Sequence, residues 1–165
     1  MLYPFRKFLK EGNPLARVKA NADKGRHFVT ISSERGHLSP AENNARMKEL
    51  KGKLTSQGYG YRKTKGVWEG GHENSLMVHA KGTGDKHGAQ LVHDMQKHAQ
   101  HYDQDSILHH NGKKLAKLIG TNKTGRPGMG KYDPIGDKIN YNPAGKGDKT
   151  EFKNGASFNI GTKEK

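Results

Sequence analysis

Side chains able to do chemistry are concentrated around one glycine-rich segment of the chain. Glu69, His72 and Glu73 lie in the run GVWEGGHEN, and Glu34 follows the first predicted strand. Carboxylates bind Mg²⁺ and, like imidazoles, can accept a proton from a substrate or from water. These four residues are the catalytic candidates. A metal-dependent nuclease, or another hydrolase that uses the Glu69–Asn74 loop, is therefore one hypothesis for the function.

The pattern of these residues matches no established catalytic motif. The sequence has no HExxH stretch and no paired aspartates. Asp94, His98 and His101 are spaced so that they could share a metal from one helix, but they fall on its polar side, where a solvated face is expected. His109 and His110 point to opposite faces of a strand. The sequence predicts no metal site and no cofactor, and Mg²⁺ is expected only if the nuclease hypothesis holds.

Composition favours a different class of function. The chain has 165 residues, a formal net charge of +14 and no cysteine. Disulfides and thiolate chemistry are therefore excluded. The two ends of the chain are strongly basic and the middle is nearly neutral, a distribution often found in proteins that bind polyanions. No apolar run is long enough to cross a membrane.

The main prediction is a small basic protein that binds nucleic acid or another polyanion, mainly without sequence specificity. Lysine and arginine would neutralise phosphates, and Tyr59, Tyr61 and Trp68 could stack on bases, although Trp68 is also expected in the core. No helix-turn-helix, zinc-finger or RNP-type pattern is present. The residues predicted to contact nucleic acid are Arg62, Lys63, Lys65, Lys113, Lys114, Lys117, Lys123, Arg126 and Lys131.

The elements that must position these side chains alternate between strands and helices. A strand is predicted at 27–32, and a helix at 40–57 begins with the capping box of Ser39, Pro40 and Glu42. Two strands follow within 58–80, and then come a helix at 86–102 and a strand at 106–110. Asn111-Gly112 predicts a hairpin to a partner strand at 113–121. Asn43, Asn44 and Arg46 could join a site beside Glu34, although a solvated face is favoured.

This order predicts an α+β fold, namely a ferredoxin-like β-α-β-β-α-β antiparallel sheet with an added β-hairpin strand and basic extensions. The expected organisation is a basic N-terminal arm at 1–26, a compact core at 27–121 and a Gly/Lys-rich C-terminal extension at 122–165. Such a fold supports many functions and does not select one.

Four segments resemble small α+β proteins of tailed bacteriophages. They are ISSERG, SPAENNARMKELKGKL, GYGYRKTKGVWEGGHENSLMVHAKG and DQDSILHHNGKKLAKLIGTNKTGRPGMG, within residues 28–130. The resemblance implies a phage accessory or virion protein, located in the bacterial host cytoplasm or in the virion, and it assigns no active-site residue. A further alternative is a structural virion component, or an inhibitor of a host protein, that binds an acidic protein surface.

Overall fold

A computed structural model describes residues 14–68, 71–112, 116–123, 125, 127–136, 139–141, 149–153 and 157–160. Three helices lie in this part of the chain, namely α1 (Pro14–Asp23), α2 (Pro40–Ser56) and α3 (Asp85–His101). The strands are β1 (Phe28–Ile31), β2 (Tyr61–Trp68), β3 (Gly71–His79), β4 (Ser106–His110), β5 (Ala116–Gly120), β6 (Tyr132–Gly136), β7 (Ile139–Tyr141), β8 (Lys149–Phe152) and β9 (Ser157–Ile160).

All nine of these strands form one sheet in the order β6-β5-β4-β1-β3-β2-β8-β9-β7. Every pairing between neighbours is antiparallel. The longest pairing joins β2 and β3, where Tyr61 lies opposite Val78 and Trp68 lies opposite Gly71. Strand β1 lies between β3 and β4, so the loop after it emerges near the middle of the sheet.

The predicted ferredoxin-like fold with one added hairpin strand is wrong. The sheet continues past β4 through β5 and β6, and past β2 through β8, β9 and β7. Strands β6 to β9 lie in the segment 122–165, whose glycines, prolines and lysines suggested an extension. Strands β6 and β7 are the edges of the sheet, and an edge strand is held mainly by backbone hydrogen bonds to its neighbour. Strands β8 and β9 bury Phe152 and Phe158, but four residues are too few to show a clear hydrophobic period. Composition therefore concealed β6, β7 and β8, while the run at 156–160 does predict a final strand, which is β9.

Helices α2 and α3 pack on one face of the sheet. Ser39 caps α2 by accepting a hydrogen bond from the backbone of Glu42, and Pro40 starts the helix, as the capping box predicts. The buried residues of the two helices meet the alternate side chains of β1 and β3 in the main core. These are Met47, Leu50, Leu54, Leu91, Met95 and Ala99 from the helices and Val29, Ile31, Leu76 and Val78 from the strands.

The opposite face of the sheet has a smaller core of its own. Val18 of α1 packs there with Phe28 and Met77 from the central strands and with Phe152 and Phe158 from β8 and β9. The central strands are therefore buried on both faces. In the described residues no helix is long and apolar enough to cross a membrane.

Candidate active site

Glu34 lies in the loop that follows β1, where the chain leaves the centre of the sheet. One of its carboxylate oxygens, Oε1, accepts a hydrogen bond of 2.7 Å from the backbone N–H of Asn74, and Oε2 accepts one of 3.3 Å from the Asn74 side chain. Gln104 donates to the backbone carbonyl of Glu34 at 2.9 Å. These bonds tie the loop after β1 to β3 and to the turn before β4, so the Glu34 carboxylate is held in place.

Glu73 is half-buried on β3, next to this loop. Burial is the main cause that raises the pKa of its carboxyl group, and the negative charges of Glu34 and Asp105 raise it further. A hydrogen bond with Ser32 and the positive charge of Arg35 act in the opposite direction. The surroundings of Glu73 therefore disfavour ionisation of its carboxyl group, a property common in functional sites.

Arg35 and Asp105 complete the charged part of the site. Nη1 of Arg35 lies 3.2 Å from Oδ1 of Asp105, and the Asn122 side chain donates to the same oxygen at 2.8 Å. The backbone N–H of Arg35 donates to the Asn43 side chain, which in turn donates to the Arg35 carbonyl, at 2.9 and 3.0 Å. The first turn of α2 therefore positions the loop that carries both Glu34 and Arg35.

These side chains surround a cavity of about 310 Å³ at one end of the central strands. Three carboxylates and a single guanidinium make its charge negative, although the chain as a whole is strongly basic. A cavity of this size suits a small molecule. Its lining residues are Glu34, Arg35, Gly36, Glu73, Gln104, Asp105, Ser106 and Leu118.

The structure brings two of the four catalytic candidates together. Glu34 and Glu73 line the same cavity. His72 is exposed, and because neighbouring strand residues alternate between faces, it lies on the opposite face of β3 from Glu73. Glu69 lies outside the described residues. Among the described residues, no group of three or more His, Asp or Glu side chains is arranged to hold a metal ion.

The residues that sequence reasoning missed are Asp105, Gln104 and Asn122. Gln104 and Asp105 belong to a short polar turn, DQDS, between α3 and β4, which offers no distinctive signal. Asn122 follows β5 and reaches Asp105 only because β4 and β5 pair side by side. Pairing of the consecutive strands β4 and β5 therefore creates this part of the site.

The residues predicted to contact nucleic acid are dispersed. Lys63 and Lys65 are exposed on β2, and Arg62 is half-buried there. Lys117 lies over the ring of Tyr132, with its Nζ 4.7 Å from the ring centre. Lys123 and Lys131 are exposed in the loops around β5 and β6. Lys113, Lys114 and Arg126 lie outside the described residues.

The aromatic residues proposed to stack on bases do not form a stacking surface in the part of the chain that the structure describes. Tyr59 is 4% exposed, and its hydroxyl donates to the carboxylate of Asp94 at 2.6 Å. Tyr61 is half-buried against the main core. The side chain of Trp68 lies outside the described residues, so its expected place in the core stays a prediction.

Comparison with known protein families identifies the relationship. The model of the S-adenosylmethionine lyase family matches residues 29–160, from β1 to the end of β9. The chain belongs to the S-adenosylmethionine lyase family. No curated protein matches the chain.

Membership of this family corrects the function predicted from charge. A nucleic-acid-binding phage or virion protein is not supported, because the match runs through nearly the whole sheet and points to an enzyme of the lyase class. The hydrolase and the virion-component or host-inhibitor alternatives are wrong for the same reason. The net charge of a protein governs its general attraction to polyanions. It does not predict the charge of one small cavity, which here is negative.

Proposed function

We propose that this protein is a lyase that cleaves S-adenosylmethionine, and that the cavity between Glu34, Glu73 and Asp105 holds the substrate. Membership of the S-adenosylmethionine lyase family is the observation that carries the proposal. The cavity lies within the matched residues, at the carboxyl end of β1 and the start of β4, and this position supports it as the substrate site.

The charge of the cavity suits this substrate. S-adenosylmethionine carries a positive sulfonium and a positive ammonium group against one negative carboxylate. Three carboxylates therefore complement its cationic groups, and Arg35 offers a partner for the substrate carboxylate, since guanidinium groups bind carboxylates well. Partial burial strengthens these contacts relative to those at an open surface.

A lyase breaks a carbon–sulfur bond of the sulfonium without adding water. The electron pair of that bond leaves on sulfur, which becomes a neutral thioether. The carbon that loses this electron pair gains another from within the substrate, in one of two ways. In the first, the substrate carboxylate attacks this carbon and closes a ring. In the second, a base takes a proton from the neighbouring carbon, and the electron pair of that C–H bond forms a carbon–carbon double bond.

The protein residues contribute binding, orientation and exclusion of water. A carboxylate close to the sulfonium stabilises the substrate at least as much as the transition state, because positive charge disappears from sulfur as the bond breaks. Binding this cation alone would therefore not accelerate the reaction. We propose that Glu34, fixed by Asn74, orients the substrate, and that Glu73 accepts the proton if a C–H bond is broken.

The sulfonium is already an activated leaving group, so we expect the reaction to need no cofactor. Activity that survives treatment with EDTA would agree with this expectation, and its loss on chelation with recovery on adding Mg²⁺ would contradict it.

The decisive experiment is to incubate the purified chain with S-adenosylmethionine in H₂¹⁸O and to identify the products by mass spectrometry. We expect a neutral thioether and a second fragment released without ¹⁸O. Incorporation of ¹⁸O into the fragment as it is released would identify a hydrolase instead. The structure of the second fragment, lactone or alkene, distinguishes the two routes.

Variants of the cavity test its part in the reaction. Glu34→Gln and Glu73→Gln should each lower kcat/KM by about tenfold or more, since a lost charged hydrogen bond costs roughly 1.5–3 kcal/mol. Glu42→Gln removes an equal charge from the exposed first turn of α2 and should leave kcat/KM unchanged. Equal losses in all three variants would remove the cavity from the proposal.

Two expectations from the sequence stay predictions beside this proposal. One is a location in the bacterial host cytoplasm or in a virion, and the other is an acidic protein surface as a partner of the basic segments. Fractionation of infected cells would test the first, and a pull-down at physiological salt would test the second.

A further inference from the structure

A second cavity, of about 440 Å³, lies between α1, the start of β2 and the end of β3. Its charged side chains are Arg17, Arg26 and Arg62, and His79 lies beside them. No carboxylate belongs to the described residues that line it. Its charge is therefore opposite to that of the cavity around Glu34.

The two cavities are at opposite ends of β3. Glu73 lines the first and His79 lines the second. Six residues of an extended strand span about 20 Å. One molecule of the size of S-adenosylmethionine cannot reach both cavities at once, so the second cavity needs its own explanation.

The arginines are placed there by the backbone of the fold. Nε of Arg26 donates to the carbonyl of Ala80 at 2.7 Å, directly after β3, and its Nη1 lies 3.5 Å from the side-chain oxygen of Asn21 on α1. Arg62 lies opposite Met77 in the β2–β3 pairing. It therefore belongs to the face of the sheet that Met77 shares with Val18 of α1. Helix α1 adds Arg17 from above that face.

The positive charges in this cavity oppose one another. Burial lowers the pKa of Arg62, and the charge of Arg17 lowers it further. Burial likewise lowers the pKa of His79 to about 4, with the charges of Arg26 and Arg62 as further causes. Nε2 of His79 is buried and has no hydrogen-bond partner among the described residues. An anion in the cavity would relieve this repulsion, because guanidinium groups form strong charge-assisted hydrogen bonds with anionic oxygens.

We propose that the cavity lined by Arg17, Arg26 and Arg62 is a binding site for the phosphate group of a small molecule. Three guanidinium groups match the two negative charges of phosphate better than the single charge of a carboxylate. The cavity is larger than one phosphate requires, so it also has room for an organic group esterified to the phosphate. The site is independent of the proposed lyase reaction.

Isothermal titration calorimetry on the full chain at constant ionic strength tests this site, with inorganic phosphate, glycerol 3-phosphate and acetate as separate ligands. We expect saturable binding of phosphate and at least tenfold weaker binding of acetate. Tighter binding of glycerol 3-phosphate than of phosphate would identify a phosphomonoester as the ligand, and equal binding would identify free phosphate. Acetate binding as tight as phosphate, or no saturable phosphate binding, would overturn the proposal.

Charge-matched variants separate a discrete site from general attraction to a basic protein. Arg62→Gln should weaken phosphate binding by about tenfold or more. Arg17→Gln, on the exposed surface of α1, should also weaken phosphate binding. It provides a second test of the site if Arg62→Gln does not fold. Lys48→Gln removes the same charge from the exposed side of α2 and should leave binding unchanged. If Lys48→Gln loses as much affinity as the arginine variants, the proposed site does not exist.

Discussion

Glu73 lies where the folded protein disfavours the ionised form of its carboxyl group. It is half-buried near two other carboxylates, and both burial and these charges raise its pKa. A carboxyl group whose pKa is higher in the folded than in the unfolded chain favours folding while it is protonated. That contribution is lost as the pH rises through the folded pKa, so at neutral pH the ionised carboxylate opposes folding.

We therefore predict that Glu73→Gln stabilises the protein at pH 7.5 while lowering its activity. Glutamine keeps the shape and can still hydrogen-bond with Ser32, but it carries no charge to repel Glu34 and Asp105. At pH 4 the stabilisation should shrink, because the native carboxyl group is then increasingly protonated. Urea denaturation at both pH values measures the effect, and a Glu73→Gln protein less stable than the parent at pH 7.5 would contradict it.

At the scale of elements, the first turn of α2 links a local sequence signal to the cavity. The capping box at Ser39 determines where the helix begins. Asn43, one turn later, exchanges two hydrogen bonds with the backbone of Arg35. The loop between β1 and α2 is therefore held by the helix that follows it.

We predict that Asn43→Ala lowers stability by about 1–3 kcal/mol, because the half-buried backbone N–H of Arg35 loses its acceptor. The Arg35 carbonyl loses one of its two donors and keeps the N–H of Leu38. The variant should also lower kcat/KM, since the loop that carries Glu34 and Arg35 would lose its anchor. Asn44→Ala is the matched control, because Asn44 is exposed beside it and surface changes of this kind are usually within about 0.5 kcal/mol. Thermal and urea denaturation with activity assays test both variants, and equal effects would contradict the anchoring role.

At the scale of the whole molecule, buried histidines link stability to pH. Burial is the main cause that lowers the pKa of His79, His109 and His110 to about 4 in each case. Nε2 of His109 and Nδ1 of His27 form a hydrogen bond of 2.9 Å. The ring of His110 stacks on that of Phe28, with ring centres 5.2 Å apart. His109 and His110 therefore lie inside the sheet beside β1, whereas His79 is half-buried and lines the cavity that contains Arg26 and Arg62.

These histidines predict a loss of stability in mild acid. Their folded pKa values lie below the usual value of 6.5, so the unfolded chain binds protons first as the pH falls. The stability they contribute is complete above about pH 6.5 and is lost between pH 6.5 and 4. Urea denaturation at pH 7.5 and pH 5 should show a lower free energy of unfolding at pH 5.

Two variants test the source of this pH dependence. His110→Asn retains an acceptor for the backbone N–H of Gly112, which now donates to His110, and should reduce the difference between the two pH values. His37→Gln changes an exposed histidine and should leave the difference unchanged. A free energy of unfolding that is equal at pH 7.5 and pH 5 in the parent protein would contradict the prediction.

Features that depend on neighbouring residues can be predicted from the sequence alone. The start of α2 follows from Ser39 and Pro40, and the period of Leu91, Met95 and Ala99 predicts α3. These signals are local because capping and helical periodicity act within a few residues. Glu34 is a candidate because it follows a predicted strand, and Glu73 because it belongs to a polar run expected to form a loop, although the structure places it within β3.

Which of these residues meet, and what kind of site they form, depends on the tertiary fold. Pairing of β1 with both β3 and β4 brings Glu34, Glu73 and Asp105 to one cavity. The β2–β3 pairing and helix α1 place Arg62 and Arg17 beside His79, at the other end of β3. Strand register depends on contacts between residues far apart in the chain. For that reason, the basic composition of the whole chain suggested a polyanion partner, whereas the folded chain forms an acidic cavity.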